Sequence, residues 1–74
     1  MVSKDGDNVT KELGDKIRKA RERAKMTQAE VAAVVELHVN YYARIERGEV
    51  HPSFERLQKI MKALNIKSLN ITSD

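Results

Sequence analysis

A chain of 74 residues, 34% charged and 41% hydrophobic, has material for one small domain with a modest core and excludes a second. It contains no cysteine, so disulfides, thiolate metal sites and cysteine nucleophiles are excluded. A net charge of +3 favours polyanionic partners; the polar stretch Met1 to Thr10 does not read as a signal peptide, and no apolar run reaches bilayer length, so a cytoplasmic location is expected.

Apolar residues recur at spacings of three and four rather than two, which predicts an all-α fold of four to five helices. Residues 1–8 have nothing to bury and are expected to form a flexible N-terminal arm. A first helix is expected from Val9 or Thr10, with Leu13, Ile17, Ala20 and Ala24 as its apolar stripe and Lys16, Lys19, Glu22 and Arg23 mostly opposite. Thr27 followed by Glu30 is a capping box, which starts the second helix at Gln28. That helix carries Val31, Val34 and Val35, and continuing it to Gly48 would expose Leu37 and Tyr42 on inconsistent faces. A turn near Glu36 to His38 is therefore predicted.

The third helix is expected from Val39 to Arg47, with Tyr42 and Ile45 buried and Asn40, Tyr41, Arg44 and Arg47 facing out. Gly48 is placed to end it in the left-handed conformation. Ser53 caps a fourth helix whose Phe54, Leu57, Ile60, Met61 and Leu64 are expected to close the core. Ile66, Leu69 and Ile71 then fit a short fifth helix, a docked extended tail or a dimer contact equally well. The domain is thus expected over 9–66, with 67–74 as a C-terminal tail.

Met26-Thr27-Gln28, Glu30-Val31-Ala32, Arg44-Ile45-Glu46-Arg47-Gly48, Pro52-Ser53 and Leu57 together resemble the phage repressor and Cro helix-turn-helix family, also called the xenobiotic-response-element family. The resemblance runs from about Leu13 to Ile66. It implies a sequence-specific transcriptional regulator, a repressor or operon controller, that lays its third helix in the major groove of double-stranded DNA. It further implies base contacts from His38, Val39, Asn40 and Arg44, and phosphate contacts from Gln28, Tyr41 and Arg47. Arg21 and Glu46 match a structural ion pair of the family. A homodimer on an inverted-repeat operator is expected, because one small domain makes few contacts.

Four positions depart from the family pattern, Glu36, His38, Tyr42 and Ala43, the last standing where serine is usual. Glu36 stands where glycine is usual, so it either accepts a positive φ at about 1 kcal/mol or the turn is built differently. His38 replaces a serine N-cap, and Asn40 could itself cap the helix. Tyr42 replaces an aliphatic residue and needs a partner or solvent for its hydroxyl. No metal or cofactor is expected: His38 and His51 lack a third ligand. Asp15 and Glu22 stand two helical turns apart among basic residues, which argues against paired-carboxylate catalysis and against an enzyme. Lys59 and Lys62 read as a solvated face, and the sequons at Asn8 and Asn70 as chance. The alternative function is an antitoxin that also binds a toxin protein.

Overall fold

The computed structural model describes residues 2–67, and the side chains of residues 9–67. It contains α1 (Val2–Arg23), α2 (Gln28–Val34), α3 (Val39–Glu46) and α4 (Phe54–Ala63), with no strand among the described residues. The core is one cluster of Leu13, Ile17 and Ala20 from α1, Val31, Ala32 and Val35 from around α2, Tyr42 and Ile45 from α3, and Ile60 and Leu64 from α4. These positions repeat at three and four along each helix, so each element buries one stripe against the others. Leu69 and Ile71, left open above, lie outside the described residues.

Helix boundaries follow the local chemistry. Thr27 Oγ1 accepts from the Glu30 N–H at 3.0 Å while Glu30 Oε1 accepts from the Thr27 N–H at 2.8 Å, the reciprocal capping box expected from the sequence. Ser53 accepts from the Arg56 N–H and starts α4. Gly48 takes φ 77° immediately after α3 and its C-cap, Arg47. Glu36 does adopt the left-handed conformation, at φ 60°. Lys25 at φ 61° and Asn65 at φ 58° end α1 and α4 in the same way, although neither is glycine.

Several sequence expectations are corrected. The α1 backbone is helical from Val2, seven residues before Val9: Asp7, Asn8 and Thr10 are of cap-forming types, but no proline at residues 7–10 stops the helix from extending outward past the core. Ala24 is exposed, since the chain leaves the helical path there and turns through Lys25. Val34 is exposed because Val31, Ala32 and Val35 supply the inward stripe of the short α2. Phe54 is 72% exposed. At 100° per residue it lies roughly 90° round from the centre of the Leu57, Ile60 and Leu64 stripe, and it is the first residue of α4.

Gly14 sets the approach of α1 to α3. A Cβ built there would lie 2.6 Å from the Glu46 carbonyl oxygen, so the two backbones meet with no room for a side chain. This contact brings the end of α3 against α1 and fixes how the rest of α3 projects.

Candidate nucleic-acid interface

The outer face of α3 is built by pinning its inner face. Tyr42 and Ile45 are buried in the core, and Glu46 is buried beneath Arg21. Arg21 Nε donates to Glu46 Oε2 at 2.7 Å and Nη2 to Oε1 at 3.1 Å, while Nη1 donates to the Met26 carbonyl at 3.0 Å. One guanidinium thus joins α1, the start of the α2 segment and the end of α3. Burial alone would raise the Glu46 pKa, but hydrogen bonds from Arg21 and Gln28, with the Tyr42 hydroxyl nearby, outweigh it and hold the carboxyl below its ordinary value. Tyr42 is pushed upward, chiefly by burial and then by the Glu46 carboxylate. Its hydroxyl stands near that carboxylate but outside hydrogen-bond geometry, without a partner among the described residues.

With that face fixed, His38, Val39, Asn40 and Arg44 are exposed together on and just before α3. His38 is the N-cap of α3: its Nδ1 accepts from the Asn40 N–H at 3.1 Å. That bond places the imidazole proton on Nε2, which is left as an outward donor. Asn40 is consequently inside the helix rather than at its cap, with an exposed side chain.

The residues expected at phosphates are less free than the sequence suggests. Gln28 Nε2 donates to Glu46 Oε1 at 2.9 Å, so its amide belongs partly to the Arg21–Glu46 network. Tyr41 is half-buried; its hydroxyl accepts from Arg56 Nη1 at 3.3 Å, and the Arg56 guanidinium carbon lies 5.2 Å from the ring centroid. Arg47 donates to Glu49 through Nε at 2.7 Å and Nη2 at 3.2 Å, and Arg44 reaches the same carboxylate through Nε at 3.3 Å.

Arg56 and Glu49 were not singled out from the sequence. Arg56 needs the α3 to α4 packing to be seen. Glu49 carried a local signal, an acid two residues after Arg47 and five after Arg44, which helical periodicity does not flag because Gly48 intervenes. Elsewhere, Asp15 and Glu22 both pair with Arg18, so these carboxylates are engaged in surface ion pairs. No cluster of three or more His, Asp or Glu side chains with metal-binding geometry occurs among the described residues. None of the described helices is long and apolar enough to cross a membrane.

Comparison with known proteins identifies the family. Residues 17–70 match the helix-turn-helix family. Control protein C.BamHI of Bacillus amyloliquefaciens is 34% identical over 62 residues, covering 82% of this chain and 76% of the relative. Control protein C.MunI of a Mycoplasma species is 35% identical over 63 residues, covering 84% and 85% respectively. No solved structure matches the chain. The relatives are named as control proteins, not as antitoxins. With a capped α2, a left-handed turn at Glu36 and an α3 whose polar face is free of the core, the chain belongs to the helix-turn-helix family of DNA-binding transcriptional regulators.

Proposed function

We propose that this regulator, similar to two control proteins, is an operon controller acting in the cytoplasm on a restriction-modification operon and having no catalytic activity of its own. The observation that carries the reading is the exposed row of His38, Val39, Asn40 and Arg44 on an α3 held rigidly by its buried side. Arg44 suits guanine O6 and N7, Asn40 suits adenine, and Val39 suits a thymine methyl, while His38 offers a single donor. Gln28, Tyr41 and Arg47 flank this row and serve the sugar-phosphate backbone, which positions the helix without reading sequence. Arg56, bound to Tyr41, adds charge on the same side.

The protein acts as a homodimer on an inverted repeat, with two α3 helices separated by about one DNA turn, ~34 Å. Selection of duplexes from a random-sequence pool tests the whole reading, because half-site sequence and spacing emerge together. A selected inverted repeat, bound with two chains per duplex in sedimentation, is the expected result. Arg44→Ala should then cost about 1 to 3 kcal/mol on the selected duplex and relax preference at one base pair per half-site. Enrichment of no sequence overturns the placement of α3, and an equal loss on selected and random duplexes in Arg44→Ala makes Arg44 a phosphate contact instead.

A further inference from the structure

The two arginines on the proposed DNA face share one carboxylate, and they share it unequally. Arg44 spends only its Nε on Glu49, at 3.3 Å, and neither terminal nitrogen is bonded to that carboxylate. Those two nitrogens form an edge that can donate in parallel to guanine O6 and N7. Arg47 instead gives Glu49 its whole side-on fork, Nε at 2.7 Å and Nη2 at 3.2 Å. That is one of the two edges an arginine can offer a phosphate. A base can therefore be added to Arg44 with Glu49 in place, whereas a phosphate must compete with Glu49 for the side-on edge and the charge of Arg47.

We infer that Glu49 is a specificity-determining residue of the DNA-binding face, bracing Arg44 for base readout while competing with phosphate for Arg47. The inference rests on the placement of α3 in the major groove. Its physical core is that phosphate contacts are indifferent to sequence and dominate binding to random DNA. A carboxylate that stands in for phosphate at one arginine therefore subtracts mainly from non-specific binding. The brace acts in the opposite sense on the specific complex, because holding a long side chain in its working rotamer lowers the entropy lost on binding. Both contacts are exposed, with Arg47 56% and Glu49 47% accessible, so the competition is weak enough for DNA to win it. Arg47 and Glu49 each perturb the other toward the charged form, the direction expected for a standing ion pair. The same exposure leaves the fold nearly indifferent to losing the pair, which separates a binding role from a structural one.

The test is Glu49→Gln, measured in wild-type and Arg47→Ala backgrounds on two probes: the duplex selected by the wild-type protein and a scrambled duplex of equal length. Glu49→Gln should tighten binding to the scrambled duplex by about two- to five-fold, the range an exposed ion pair allows. It should steepen the dependence of log affinity on log salt by up to about one, for one phosphate gained. On the selected duplex the gain should be smaller or reversed, so the specificity ratio falls. In Arg47→Ala the gain on scrambled DNA should vanish. Glu12→Gln, which removes an exposed charge from α1, should leave the ratio unchanged. No change with Glu49→Gln, equal tightening on both probes, or a gain that survives Arg47→Ala overturns the inference. If instead Arg44→Ala and Arg47→Ala both leave wild-type binding unaltered, the α3 placement itself fails, a result distinct from failure of Glu49 alone.

Discussion

Arg21 and Glu46, twenty-five residues apart, meet through two parallel hydrogen bonds of 2.7 and 3.1 Å, with the Glu46 side chain only 2% exposed. Removing one partner strands the other charge in the interior, so Arg21→Ala should destabilise the fold by about 3 kcal/mol, far more than loss of a surface charge. Urea unfolding of Arg21→Ala beside Lys19→Ala measures the difference. Equal midpoints for the two variants would show the pair to be energetically idle.

The same pair gives the protein an acid limb. Because the folded Glu46 pKa lies below its ordinary value near 4.5, its contribution is complete above the unfolded pKa and is lost as pH falls through the folded one. Stability should therefore decline below about pH 4.5, in part through this group. In Glu46→Gln the decline should be shallower, on top of lower stability at neutral pH. A denaturant-midpoint series against pH reads both effects, and identical acid slopes would remove Glu46 from the account.

Tyr42 buries its hydroxyl without a hydrogen-bond partner among the described residues. Tyr42→Phe keeps the ring and removes the unpaired oxygen, so it should be neutral or stabilising by up to about 1 kcal/mol. A thermal midpoint lowered by several degrees would mean that the hydroxyl donates to Glu46 in solution.

Glu36 holds φ 60° in the turn between α2 and α3 with a largely solvated side chain, whose nearest cation is Lys59 at 4.0 Å. Glu36→Gly relieves the left-handed strain and forfeits only a weak ion pair, although glycine also enlarges the unfolded ensemble. The net expectation is a gain of up to about 1 kcal/mol in stability, with DNA binding retained. Calorimetry checks the first part, and a clear drop in the midpoint would contradict it.

Gly14→Ala should destabilise by about 1 to 3 kcal/mol, because its Cβ would meet the backbone carbonyls of Ile45 and Glu46 rather than a yielding side chain. Helix propensity alone favours alanine by about 1 kcal/mol, so the sign of the measured change decides between local and tertiary control. The variant should also bind DNA less tightly at temperatures where it remains folded, since α1 and α3 must separate.

Several elements were legible in the sequence because their causes are local. Thr27 with Glu30, Ser53 before Phe54 and Gly48 after Arg47 each satisfy or terminate a helix within a few residues of themselves, so composition and spacing determine them. The apolar stripe of Leu13, Ile17 and Ala20 and the burial of Tyr42 and Ile45 follow likewise from helical period. What the tertiary structure decided were relations between segments and the ends of stripes. Phe54 is apolar like a core residue but lies off the buried stripe of α4, and Gly14 looks like a flaw in α1 until α3 is laid against it. That the Gln28 amide also donates to Glu46, 2.9 Å away, appears only once α3 is packed beside α2. The sharing of Glu49 by Arg44 and Arg47 depends on the reversal at Gly48, which folds an acid back onto the face that periodicity assigns to the arginines alone. Period fixes which way a side chain leaves its own helix, but only packing fixes what it then meets.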